Sequence, residues 1–130
     1  MKRPPRTVLV VEDLDDDFDT VAEAAGAAGA RLVRARTLVE ARAAVPSAAL
    51  VLLDVNLPDG SAAAFVRELR AAGALTPVVV LSTSVAPRDV RAMLAAGANA
   101  YHAKALRHAD ALALLAVIFS YWLTAARLPA

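Results

Sequence analysis

Asp54 closes the apolar run Leu50-Val51-Leu52-Leu53 and opens the turn Val55-Asn56-Leu57-Pro58-Asp59-Gly60. A buried strand gains nothing from a terminal charge. A carboxylate there points to ligand chemistry at the carboxyl edge of a parallel sheet. Glu12 and Asp13 end an earlier run of the same kind, Thr7-Val8-Leu9-Val10-Val11. Three carboxylates gathered at one sheet edge repel one another unless a divalent cation lies between them. Mg²⁺ suits such a set, being a hard ion that takes oxygen ligands and keeps some of its waters. Two later runs end in Ser82-Thr83 and in Lys104. An acid cluster, one further carboxylate, a hydroxyl and an ammonium together can move a phosphoryl group onto a carboxylate. Asp54 is the expected nucleophile, forming an aspartyl phosphate. Mg²⁺ would neutralise the oxygens in transit while Lys104 and Ser82 bind the rest, so catalysis is positioning plus electrostatics.

Residues so far apart in the chain meet only if their strands all end on one side. Apolar strand-like runs alternating with helix-period segments give βαβ units and a parallel sheet. Strands are expected at Thr7–Val11, Arg31–Ala35, Leu50–Asp54, Val78–Leu81 and Tyr101–Lys104, with five helices between and after them. Asp15, Asp16 and Asp17 can start the first helix and Gly29 close it. Thr37 caps the second, Pro87 begins the fourth and Gly97 ends it.

With 130 residues the chain makes one domain, long enough for a real core. It is 58% hydrophobic and 21% charged, which excludes disorder, and its net charge of +1 gives no general pull toward nucleic acid. There are no cysteines, so disulfides, thiolate metal sites and cysteine nucleophiles are excluded. No apolar signal-peptide core is present at the start. The uncharged stretch Ala111–Ala126 falls short of the roughly 20 residues of a membrane span and reads as a soluble helix with two apolar faces.

The set formed by Glu12-Asp13, Asp54 with Asn56, Pro58 and Gly60 behind it, Ser82, Gly97-Ala98, Tyr101 and Lys104 closely resembles a response-regulator receiver domain of two-component signalling. The resemblance runs from Thr7 to the C-terminus. It implies an α/β, flavodoxin-like (βα)5 fold, with five parallel strands in the order 2-1-3-4-5 flanked by five helices. Residues 7–126 would be the core, 1–6 a basic tail and 127–130 a C-terminal tail. It further implies that Asp54 is phosphorylated. Asp13, Asp54 and the Asn56 carbonyl would ligate Mg²⁺, with Glu12 acting mostly through water. Ser82, the Thr83 amide and Lys104 would bind the phosphoryl oxygens, and Tyr101 would change rotamer together with Ser82. Phe119-Ser120-Tyr121-Trp122-Leu123 with Leu128-Pro129, the run Leu81-Ser82-Thr83-Ser84 and Asn99-Ala100-Tyr101 resemble single-domain regulators that partner phytochrome-type histidine kinases. Ala105 departs from the family, where a proline in a cis bond usually follows the lysine. A non-proline cis bond costs about 3 kcal/mol, which favours trans here and puts the reach of Lys104 at issue.

The resemblance thus implies a cytoplasmic, free-standing receiver, phosphorylated by a sensor histidine kinase and signalling through its fourth helix, fifth strand and last helix, with no nucleic acid or membrane partner. It would catalyse only its own phosphoryl transfer and slow loss. On the last helix, Leu112, Leu115, Phe119 and Trp122 form one apolar stripe and Leu114, Ile118, Tyr121 and Ala125 another. One stripe packs on the sheet and the other lacks cover. The expectation is a homodimer through the fifth strand and last helix, using Leu114, Ile118, Phe119, Tyr121 and Trp122. Asp15, Asp16, Asp17 and Asp19 read as a solvated helix start, Asp59 as turn chemistry, Ser84 as a loop hydroxyl and His102 as structural. The rivals are a receiver-like scaffold that takes no phosphate and a small aspartyl-phosphate phosphatase. The second lacks a general-acid carboxylate, since Val55-Asn56 follows Asp54. A flavin carrier is disfavoured by the acidic first loop.

Overall fold

The computed structural model describes residues 6–129. Its elements are β1 (Thr7–Val11), α1 (Asp15–Ala28), β2 (Arg31–Ala35), α2 (Leu38–Ala44) with a 3₁₀ turn (Val45–Ser47), β3 (Leu50–Asp54) and α3 (Ala62–Ala71). They continue as β4 (Val78–Ser82), α4 (Pro87–Ala96), β5 (Ala100–Ala103) and α5 (His108–Ser120), which runs into a π-helical turn (Tyr121–Ala125). All strand pairs are parallel, in the order β2-β1-β3-β4-β5. The expected fold and strand order are therefore those observed. Of the expected basic tail, residues 1–5 lie outside the described residues. The Arg6 carbonyl accepts the Arg31 amide at 3.0 Å, which ties the start of the described chain to β2. The fifth strand lies one residue earlier than expected, so Lys104 leads away from the sheet.

Period-two alternation divides the strand side chains between two faces. Leu9, Val11, Val51, Leu53, Val78 and Val80 meet α2, α3 and α4 through Leu38, Phe65, Val66 and Met93. Val8, Val10, Leu50, Leu52, Val79 and Leu81 meet α1 and α5 through Val21, Leu115, Ile118 and Phe119. Each fully buried Val, Leu or Phe contributes about 1.5–3 kcal/mol, so these two layers dominate the fold. Ile118 and Phe119, expected on an association surface, are instead buried inside the protomer. The two expected stripes merge, because the face seated on the sheet is wide enough to take residues from both. Leu114 and Trp122 are partly covered, while Val117 and Tyr121 remain 65% and 54% exposed. His108–Ala125 is long and apolar enough to cross a membrane by length and composition alone. Here one face of it packs on β1, β3 and β4.

The helix ends follow local chemistry. Gly29 takes φ 70° at the end of α1, where its amide reaches back to the last turn. Thr37 Oγ1 accepts the Glu40 amide at 3.2 Å, and Ser61 Oγ accepts the Ala64 amide at 3.2 Å. Gly97 closes α4 at φ 115°, and a Cβ there would lie 2.6 Å from Arg70 Cγ. That close approach lets Arg70 donate to the carbonyls of Gly97, Ala74 and Thr76 and to Asn99 Oδ1. Asn99 Oδ1 also accepts the Val78 amide at 2.9 Å, so the amino ends of β4 and β5 are fastened opposite the acidic edge.

Candidate functional site

The carboxyl ends of β1, β3, β4 and β5 bring Glu12 and Asp13, Asp54, Ser82 and Lys104 to one edge. Carboxylate oxygens of Glu12, Asp13 and Asp54 all lie within 4.8 Å of one another. Opposite oxygens around an octahedral Mg²⁺ are about 4 Å apart, so this all-oxygen set fits a hard divalent cation. Glu12, Asp54 and Ser82 are buried, Asp13 is half-buried, and Asn56 is exposed. The Asn56 amide donates to Asp54 Oδ1 at 3.2 Å, which orients the carboxylate from the following loop. Burial pushes the Glu12 carboxyl up from 4.5 to about 7; Asp54 adds to the rise and the Lys104 ammonium opposes it.

Lys104 supplies the positive charge. Its Nζ lies 2.9 Å from Glu12 Oε1, 2.7 Å from Asp17 Oδ2 and 3.8 Å from Asp54 Oδ1. Burial lowers the pKa of this ammonium, but the carboxylates of Asp17, Glu12 and Asp54 outweigh that and hold it above 10.5. Among the described residues no peptide bond is cis, so Lys104–Ala105 is trans. The lysine reaches the site all the same, its amide anchored on the Ser82 carbonyl at 2.8 Å.

Asp17 is a correction to the sequence reading: it faces the site rather than only solvent. Its signal was helical spacing, since Asp17 shares a face with Val21 and Ala24, which pack on the sheet. Asp59 is also more than turn chemistry. Its Oδ1 accepts the Leu38 amide at 2.8 Å and its Oδ2 the Val39 amide at 3.2 Å, capping α2 from the loop behind Asp54. Those backbone bonds, Leu38 first, hold its carboxyl below the usual range.

Ser84 is more than the loop hydroxyl expected from the sequence, because it joins the edge to α4. Its amide donates to Ser82 Oγ at 3.1 Å, and its hydroxyl donates to the Asp89 carboxylate. Tyr101 packs inward on the core and its hydroxyl donates to the Ser84 carbonyl at 2.9 Å. Thr83, between them, is exposed. His102 is half-buried, with Nδ1 shielded and unpaired among the described residues, and takes no part in the edge.

Residues 8–116 match the response regulator receiver domain. The chain belongs to that family. As a receiver it is similar to the KDP operon transcriptional regulatory protein KdpE of Escherichia coli, 38% identical over 99 residues. That match covers 75% of the chain but only 44% of KdpE. Similarity to the response regulator Rcp1 of Synechocystis reaches 31% identity and covers 98% of the chain and 95% of Rcp1. The Mn²⁺-bound crystal structure of Rcp1 superposes with a TM-score of 0.88 at 30% identity, covering 97% of the chain and 100% of Rcp1. The crystal structure of the phosphorylated cyanobacterial phytochrome response regulator RcpA superposes with a TM-score of 0.90 at 27% identity, covering 98% and 100% of the two chains. Within two-component signalling, this receiver is therefore related to the Rcp1 and RcpA group.

Proposed function

We propose that this receiver takes a phosphoryl group on Asp54 from a sensor histidine kinase, of the phytochrome type, and acts in the cytoplasm as a phosphorelay switch. The observation that carries the reading is the setting of Asp54: a buried carboxylate beside two others, with Lys104 Nζ 3.8 Å away. The phosphorylated RcpA and Mn²⁺-bound Rcp1 structures support it, as relatives seen in a phosphorylated form and with a divalent ion.

An Asp54 oxygen attacks phosphorus, the bond from phosphorus to the kinase's imidazole nitrogen breaks, and its electron pair stays on the imidazole. Glu12, Asp13, Asp54 and the Asn56 carbonyl would hold Mg²⁺, which supplies neutralisation of charge on the transferring oxygens. Lys104 offers its ammonium to an oxygen of the new aspartyl phosphate. Ser82 offers its hydroxyl to another, with the amide of the next residue, Thr83, as a further donor. Engaging Ser82 disturbs the amide of Ser84, and through it Tyr101 and the first turn of α4. The charge at Asp54 is thereby read on the α4, β5 and α5 surface. No catalysis beyond this transfer and a slow hydrolysis of the acyl phosphate is part of the reading.

A homodimer through β5 and α5 belongs to the same proposal. It is supported by the edge position of β5 and by exposed Val117 and Tyr121 beside half-covered Leu114 and Trp122. Buried Ile118 and Phe119 act behind that surface, not on it.

The test is intact-protein mass spectrometry after incubation with acetyl phosphate and Mg²⁺, for the native chain beside Asp54→Asn. A Mg²⁺-dependent gain of about 80 Da in the native chain alone is the expected result for an aspartyl phosphate. No gain at short times and low temperature would sink the reading and favour a constitutive scaffold.

A further inference from the structure

Lys104 holds more carboxylate than the chemistry at Asp54 requires. An ammonium has three N–H donors. Two of them serve Glu12 and Asp17, at 2.9 and 2.7 Å, while Asp54 is left at 3.8 Å. The two partners differ in how easily they let go. The Glu12 side chain is 6% exposed and belongs to the acid cluster; that of Asp17 is 41% exposed. Asp17 also borders a cleft of about 210 Å³ lined by Thr20, Leu106 and Leu115, so its carboxylate can swing away into water. Its place as third residue of α1 favours a negative charge there, near the positive end of the helix dipole. Asp16, one residue earlier, is exposed and makes no such contact with Lys104.

We propose that Asp17 is a latch on Lys104: it holds the ammonium short of Asp54 and competes with phosphoryl oxygens for it, so setting the affinity of the site for a phosphoryl group. The latch rests on Asp54 being the phosphoacceptor. It is a positioning role, because Asp17 acts only through the lysine. A phosphoryl group arriving on Asp54 must draw Nζ across the gap, and the bond to Asp17 is the one that yields.

Calorimetric titration with beryllofluoride and Mg²⁺, the fluoride complex standing in for a phosphoryl group, reads this competition directly. Asp17→Asn should bind the mimic about threefold more tightly, the size expected when a partly exposed ion pair is released. Asp16→Asn removes the same charge one residue away and should leave affinity near native. Asp17→Ser, a second neutral choice at a helix start, should repeat the gain. In a Lys104→Met background the gain should vanish, which a merely structural role for Asp17 would not produce. If Asp17→Asn matches Asp16→Asn, or binds more weakly than native, the latch is wrong and the phosphoacceptor reading stands. If the native chain binds no beryllofluoride, that reading falls and the latch with it.

Discussion

Tyr101 and Ser84 are joined by a 2.9 Å hydrogen bond from the phenolic hydroxyl to the backbone carbonyl. Ser84 in turn leans on Ser82 Oγ through its amide, at 3.1 Å. The aromatic ring on β5 and the hydroxyl at the end of β4 are thus one hydrogen bond apart on either side of a single loop residue. Tyr101→Phe should cost about 1 kcal/mol of stability, the worth of one ordinary hydrogen bond. It should leave the Mg²⁺-dependent mass gain on Asp54 intact while speeding amide exchange at Ser84 to Ala86. Denaturant melts and site-resolved hydrogen exchange check the two halves.

Glu12 gives the metal-free protein a definite pH dependence. Its folded pKa of about 7 lies above the unfolded 4.5, so the folded chain holds a proton the unfolded chain has released. Stability from this group is full below the unfolded value and is lost as pH rises through the folded one. Melting temperatures in EDTA should therefore fall between about pH 5 and about pH 8. Glu12→Gln keeps an acceptor for Lys104 without the charge and should flatten that decline. On the proposed cation site, saturating Mg²⁺ should reverse it in the native chain, because an ion held by the acid cluster would favour the ionised carboxylate over the proton.

Phe119 and Tyr121 are two residues apart yet lie on opposite sides of the fold's boundary, at 1% and 54% exposure. Phe119→Ala should destabilise the protomer by about 3–5 kcal/mol, the cost of emptying an aromatic core site. Tyr121→Ala should leave the melt within about 0.5 kcal/mol of native and weaken self-association, as an exposed substitution does. Denaturant titration and sedimentation velocity separate the two effects.

Asp59 ties the loop behind Asp54 to the start of α2. Asp59→Ala should lower the unfolding midpoint and weaken Mg²⁺ binding, because the loop that carries Asn56 loses its anchor. Since its carboxyl is held low, its stabilisation is present above the unfolded value and lost as pH falls through the folded one. Native and variant melts should therefore converge in strong acid.

Much of this molecule could be read from residue order because its strands are short, apolar and end in chemistry. Thr7–Val11, Arg31–Ala35 and Leu50–Asp54 kept their expected bounds, and Gly29, Thr37, Pro87 and Gly97 punctuate helices as their backbone preferences require. Glu12, Asp13, Asp54, Ser82 and Lys104 converge because parallel strands bring their carboxyl ends to one edge. What escaped were contacts that cross between elements. Asp17 looks like any acidic helix start until α1 is laid against the end of β5. Asp59 reaches α2 across 21 residues of sequence, which no local pattern encodes. The two stripes on α5 could not be ranked as buried or free, because helical spacing gives a face but not how much of it a sheet will cover.

Glu12 and Lys104, bonded at 2.9 Å, stand 92 residues apart in the chain. The acidic half of the edge is complete once β3 has been made, while the ammonium arrives with nearly the last strand. At about 5–20 residues per second, several seconds of translation separate Asp54 from Lys104. Until then Glu12, Asp13 and Asp54 lie together without the ammonium that pairs with Glu12. Assembly of this edge therefore waits for the fifth strand: Lys104 can meet Glu12 and Asp17 only once β5 has docked beside β4.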